Sequence, residues 1–442
     1  MNKSLFKEFN PISEKEWKQK IQVDLKGKDY NETMVTHTDE GIDIKPFYHQ
    51  ESNIAIDIPS PSKWFITEEV FLDQLDDFEK IKSKGGEVFF FNLKDVKNLP
   101  EELADSDSDL IFLMDDLKLS ELKIKDNIIY LYDPINHFIC DGTWKINQKE
   151  DLSQLQSFVN KTNSITIDGR IFHNSGANIT QQLAYISSQL QYYLTNLNIE
   201  NQSIDIHILS AVGTNFFFEI AKLKALRLLV NSICKNLNIN YKLKLITEPG
   251  LHHMSIYDYN VNMLRSTSEC MSAILGGSNF VKNTNYDVIF KNHNDFSQRV
   301  SRNQLLILKH ESYFDKVENI ADGSYYINYL IKALAEKSLE IFKSIEKSGG
   351  ILQQLFDGKI QDKINQQYLD TLEKFKSKTF KLVGVNVFEN TEDKMSKQLD
   401  FDIFNKKEKR KTLIKPLLTR RIAESLEREK LAEEAKNVSN EK

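Results

Sequence analysis

The 442-residue chain carries 58 basic and 64 acidic side chains, a net charge of -6, with 40% hydrophobic and 28% charged residues. No basic surplus exists to neutralise phosphates, which argues against nucleic-acid binding, while the apolar share is that of an ordinary globular chain with a buried core. Cys140, Cys234 and Cys270 are scattered and show neither zinc spacing nor a disulfide framework. With a charged N-terminus unlike a signal peptide and no apolar run near the roughly 18–20 residues of a membrane span, the expectation is a cytoplasmic protein.

Residues 1–62 read as an extended arm. Ser13 and Glu16 have the spacing of a capping box that opens a short helix through Trp17 and Ile21. Asp39-Glu40-Gly41 reads as a turn, and Pro59 and Pro61 mark an exposed connection. An arm this aromatic needs a surface to lie on, either its own barrel or a partner subunit.

Residues 63–385 alternate between strand-length apolar runs and helical segments. The runs fall at Val88–Leu93, Leu110–Met114, Ile128–Tyr132, Ile165–Ile167, Ile204–Leu209 and Leu243–Ile246. Continuous apolar runs suit strands covered on both faces. Helices are predicted over Ile179–Leu194, Asn215–Lys235, Asn260–Leu275 and Tyr326–Lys347, the last two stopping at Gly276-Gly277 and Gly349-Gly350. Six or more strand–helix units favour an α/β chain built as a (β/α)8 TIM barrel over an open sheet. Residues 386–442 form a linker and a charged helical tail, and Arg420–Lys442 reads as a solvated helix.

Barrel enzymes work at the carboxyl ends of their strands. Two such places carry polar groups: Arg170–Gly176, with His173 and Asn174, and Thr247–His253, with Glu248. His173, Asn174 and Glu248 are the candidates for a residual pocket at the barrel mouth. A histidine beside an acid suits acid–base work or a metal, but the adjacent His252 and His253 are badly spaced for joint chelation, and all three histidines have structural readings as hydrogen-bonded or surface groups. No phosphate loop, dinucleotide fingerprint or nucleophile elbow is present. Asp205-Ile206-His207 half-matches a cobalt-ligating Asp-x-His-x-x-Gly signature, but Ser210 replaces the glycine and the segment reads as a strand.

Several segments in order resemble the barrel of the methylmalonyl-CoA mutase family. The most specific is Asn215–Leu229, similar to the family's Asn-Phe-Phe-x-Glu-x-Ala-Lys-x-Arg-Ala-x-Arg helix with Lys224 in place of the first arginine. Asn262–Thr267, Gly276-Gly277, Arg302-Asn303-Gln304, Glu311-Ser312, Gly323–Tyr326, Glu346–Gly350, Gly41–Tyr48 and Val383–Asn386 extend it. The departures point to the family's small, non-catalytic subunit. Aligned on Gly176, Arg170 and Ile171 stand where active chains carry Tyr-His. Thr247–His252 replaces a His-Ser-Gln-Thr-Ser-Gly loop, and the Thr-x-Arg-x-Tyr substrate segment has no counterpart. The stretch after the barrel is also shorter than a cobalamin domain. The resemblance implies no catalytic, cofactor or metal residue in this chain, and a heterodimer whose large subunit binds adenosylcobalamin and acyl-CoA and interconverts (R)-methylmalonyl-CoA and succinyl-CoA. It further implies that active chains thread the pantetheine arm along a barrel axis lined by small polar residues. Two other readings stay open: a catalytic barrel whose cobalamin domain is a separate chain, and a regulatory binding module for the mutase.

Overall fold

In the computed structural model, residues 9–54, 56, 58–93, 103, 106–115, 119–199, 203–404 and 410–440 are described. Eight strands set the architecture: β1 (Phe65–Glu69), β2 (Val88–Leu93), β3 (Asp109–Met114), β4 (Ile128–Tyr132), β5 (Ser164–Asp168), β6 (Ser203–Val212), β7 (Asn240–Pro249) and β8 (Phe280–Lys282). They pair in parallel in the order β4-β3-β2-β1-β8-β7-β6-β5. The Tyr132 N–H donates to Thr166 Oγ1 at 3.3 Å across the seam between β4 and β5, so the sheet is a nearly closed barrel with helices outside. β1 and β8 complete the six strands read from the apolar runs. β1 carries Thr67, Glu68 and Glu69, and β8 is three residues long, so neither has the apolar length that marks the others.

Strand side chains alternate between two buried surfaces. Phe89, Phe91, Leu110, Phe112, Ile165, Ile167, Ile206 and Ile208 face outward into the helix layer. Val88, Phe90, Ile111, Leu113, Ile129, Leu131, Leu209, Ile246 and Phe280 form a second cluster with Phe65, and these fill the barrel axis. His207 shares the inner face with Leu209; burial, then Lys244, drives its imidazole down to about 3, so it stays neutral. The axis is thus a packed core, not a channel.

The arm contains α1 (Glu14–Asp24), where Ser13 Oγ accepts from the Glu16 N–H at 3.2 Å and Glu16 Oε2 accepts from the Ser13 N–H at 2.8 Å. The barrel helices used below are α2 (Pro134–Asp141), α3 (Gln148–Thr162), α4 (Arg170–Asn174), α5 (Ile179–Asn196), α6 (Phe216–Asn236), α7 (Val261–Leu275), α8 (Asp295–Leu306), α9 (Tyr325–Lys347) and α10 (Lys359–Lys376); α11 (Glu424–Asn440) closes the chain. The arm lies on its own barrel. Tyr48 packs against Tyr326 and Tyr329 of α9 with ring centroids 5.1 and 4.9 Å away. Tyr329 donates to the Asp43 carbonyl at 2.8 Å, and Asp39 pairs with Lys374 of α10. α1 itself buries no residue.

The expectation of a solvated C-terminal helix is corrected. The N–H groups of Leu413 and Leu417 donate at 2.9 Å to the carbonyls of Gly142 and Ile139, at and just past the end of α2, and that of Arg420 donates to Asn174 at 2.8 Å. Glu427 is fully buried, accepts from the Ile256 N–H at 3.0 Å and pairs with Arg421 at 2.5 Å. Glu434 accepts from Tyr257 Oη at 2.7 Å and from the Ser396 N–H at 2.8 Å. Charge composition marks a helix as polar; it does not register that its carboxylates cap backbone N–H groups of a neighbouring loop.

Candidate functional site at the barrel mouth

The top of the axis is closed by ions. β5 ends in Asp168 and α4 begins with Arg170, so the guanidinium folds back over its own strand. Arg170 Nε and Nη2 donate to the two Asp168 oxygens at 2.8 and 2.7 Å, a fork-on-fork pair. Arg170 Nη1 donates to Glu248 Oε1 at 3.0 Å. Lys282, the last residue of β8, places Nζ 2.7 Å from both Glu248 Oε2 and Glu69 Oε2 and 4.8 Å from the centre of the Phe90 ring below. Burial works to raise the Glu248 carboxyl, but Arg170 and Lys282 outweigh it and hold it below its ordinary value. Burial lowers Lys282, and Glu248 and Glu69 more than restore it. Glu248 and Lys282 therefore hold each other in their charged forms. A cavity of about 220 Å³ lies beside it, lined also by Asn92, Asn283, Gln298 and Arg302.

A second polar site lies off the axis, beneath the C-terminal segment. His173 of α4 sits with ring centroids 5.7 Å from His253 and 6.2 Å from His252. Its Nδ1 accepts from Gln182 of α5, at 3.4 Å. A Cβ on Gly250 would fall 2.3 Å from the His173 ring, so only glycine fits there. Lys222 of α6 pairs with Glu219 and donates to the Ala211 carbonyl at 2.6 Å. Burial first, then the Lys222 charge and the neighbouring imidazoles, holds His173 well below its ordinary value. Burial does the same to His253, with His252 and Arg265 adding to it. His252 is driven to about 4 by burial, although donation to the Arg420 carbonyl at 2.7 Å opposes this. Three neutral imidazoles packed this tightly, two of them buried, act as structural groups.

The three residues read from the sequence as one pocket are therefore divided. Glu248 stands at the mouth. His173 and Asn174 do not line the mouth cavity; they belong to the histidine joint, where Asn174 Oδ1 accepts from the Leu251 N–H at 2.9 Å. The mouth also holds Arg170, Asp168, Lys282 and Glu69, which are not among those three. Their signal was available: each is a charged residue at or just after the end of a barrel strand. Among the described residues no group of three or more His, Cys, Asp or Glu side chains is placed to hold a metal, and no helix is long and apolar enough to cross a membrane.

The sequence profile of the family described as methylmalonyl-CoA mutase matches residues 128–440. The chain belongs to the methylmalonyl-CoA mutase family. It is 26% identical to the methylmalonyl-CoA mutase small subunit of Porphyromonas gingivalis, over 87% of this chain and 71% of that protein. It is 28% identical to the small subunit of Streptomyces virginiae, over 51% of this chain and 38% of the relative. It is 32% identical to the methylmalonyl-CoA mutase of Rhizobium meliloti, over 53% of this chain but only 33% of the relative. The chain thus spans well under half the length of the last two.

The mutase-like helix found in the sequence is α6, and its charged residues have structural tasks here. Glu219 and Lys222 line the histidine joint. Lys224, at the position where the family motif has arginine, reaches Asp322 at 3.1 Å. Arg227 Nη2 donates to the Gly277 carbonyl at 2.6 Å, tying the motif to the Gly276-Gly277 pair that follows α7.

Proposed function

We propose that this chain is the small, non-catalytic subunit of a heterodimeric methylmalonyl-CoA mutase. Its large partner would bind adenosylcobalamin and acyl-CoA and interconvert (R)-methylmalonyl-CoA and succinyl-CoA. One observation carries the reading: Arg170, standing where the resemblance places the tyrosine of the catalytic Tyr-His, is locked by Asp168 and Glu248 into an ion cluster over an axis filled with apolar side chains. A pantetheine arm needs an open axis, and Phe90, Leu131, Leu209 and Phe280 occupy it.

The same geometry speaks against a coenzyme site among the described residues. A mouth cavity of about 220 Å³ lies below the roughly 300–1,000 Å³ of ordinary small-ligand pockets, and adenosylcobalamin is larger than such ligands. The His173 imidazole is buried against Gly213 and Gly250, which crowds the face that a cobalt ligand would have to present. The radical chemistry, which needs a closed site shielded from water, is then the partner's. This barrel would serve as a rigid body against which the large subunit holds that site, with the exposed α1 available to it.

Coexpression with a large mutase chain tests this. The expected result is a one-to-one complex by intact mass, with turnover by the complex and none by this chain alone. Turnover of methylmalonyl-CoA by the isolated chain supplied with coenzyme overturns the reading, and turnover restored by a separate cobalamin-domain chain in place of the large subunit favours the catalytic-barrel alternative.

A further inference from the structure

The ion cluster at the mouth is arranged like an anion complex whose anion belongs to the chain. Each Glu248 oxygen faces a different cation, Arg170 at 3.0 Å and Lys282 at 2.7 Å. The far sides of those cations are held independently, Arg170 by Asp168 and Lys282 by Glu69. Both donors therefore stay aimed at one point whether or not Glu248 is there. Glu248 and its two cations are all placed by regular backbone: Glu248 lies in β7, in register with Ala211 of β6, Lys282 in β8 beside Thr67 of β1, and Arg170 at the start of α4. Rigid elements aim side chains more precisely than loops do.

We infer that the barrel mouth is a carboxylate-binding site filled by the chain's own Glu248, and that a short monocarboxylate takes its place when that side chain is removed. This stands on the mouth's geometry and does not depend on the subunit reading. Charge selects the ligand class. Two cations and three carboxylates give the cluster a net charge of -1; without Glu248 it is neutral. A monocarboxylate restores the native balance, whereas a phosphate dianion would add a second negative charge beside Asp168 and Glu69. Size agrees, since the adjoining cavity of about 220 Å³ admits a short acid.

The test compares the full chain with Glu248→Ala and Glu248→Gln by thermal unfolding in sodium acetate, sodium chloride and sodium phosphate at matched ionic strength. Acetate is expected to raise the midpoint of Glu248→Ala by about 1–2 °C at about ten times its dissociation constant, with no specific response from the native chain or from Glu248→Gln, whose sites are filled. A folded Glu248→Ala that responds no more to acetate than to chloride overturns the inference, and so does a native chain that responds equally. Should Glu248→Ala not fold in chloride, refolding yield is read instead: recovery in acetate alone supports the site, and equal failure in all three salts rejects it.

Discussion

The barrel mouth and the histidine joint lie within a few residues of each other in the chain, since Arg170 and His173 share α4, yet they solve the same problem in opposite ways. Both gather polar side chains at strand ends under partial or complete exclusion of water. The mouth keeps its groups charged and gives every cation two carboxylate oxygens or more. It stays partly wet, with Glu69 30% and Glu248 18% exposed at the side chain. The joint is dry and keeps its imidazoles neutral. An isolated buried charge is far more expensive than a buried neutral polar group, so the joint carries charge only in closed pairs, Lys222 with Glu219 and Arg421 with Glu427, and leaves its imidazoles neutral.

The largest effect is expected where the joint does use charge. Glu427 is fully buried and is paired with Arg421, itself 5% exposed. Glu427→Ala leaves that guanidinium without its carboxylate and the Ile256 N–H without an acceptor. Orphaning one partner of a buried pair costs about 3–5 kcal/mol, which chemical denaturation measures directly. A loss under about 1 kcal/mol would show that water reaches Arg421, and the contrast between a dry joint and a wet mouth would fail.

Acid titration separates the two regions next. For His252 the folded value of about 4 lies below the ordinary 6.5. The unfolded chain therefore takes up the proton first, and stability is lost as pH falls from about 6.5 towards about 4. The full span for His252 is about 3 kcal/mol, and His173 and His253 act in the same direction. Glu248, held below its ordinary 4.5, contributes fully above that value and loses its contribution only in stronger acid. Glu269 runs the other way: burial and Glu219 hold its carboxyl well above the ordinary range, so its penalty is relieved on acidification. The clean measurement is a difference. Between pH 7 and 5 the native chain should lose more stability than His252→Asn, and parallel profiles would place His252 in contact with solvent.

Most of the barrel was legible in the sequence because its strands are buried on both faces. Ile165–Ile167 and Ile204–Leu209 announce themselves as apolar runs, and the four long helices fall within two residues of their expected ends. β1 was not, because Glu68 turns outward to Arg302 at 2.5 Å and Glu69 turns to the mouth, giving the strand a polar character at both surfaces. The site was half legible. Glu248 stood out because it follows an apolar run. His173 stood out as a histidine after a strand, but sequence order cannot tell an axial position from one tucked under a segment 250 residues later, where Arg420 and Ile422 close over it. Lys282 is joined to Glu69 across a gap of more than 200 residues, and only closure of the barrel makes them neighbours.

The smallest expected effect completes the contrast. Glu69→Gln removes one carboxylate from Lys282 but leaves the 2.7 Å contact to Glu248. The lost group is 30% exposed, so solvent screens much of its attraction, and pairs of this kind are worth under about 1 kcal/mol. The change also takes the cluster from a net charge of -1 to zero, which relieves repulsion between Glu69 and Glu248 and offsets part of the loss. Denaturation at low and high salt should therefore give nearly the same small difference from the native chain. A loss as large as that of Glu427→Ala would mean that the mouth is as dry as the joint, and the water that makes an all-ionic cluster tolerable there would have to be sought elsewhere in the barrel.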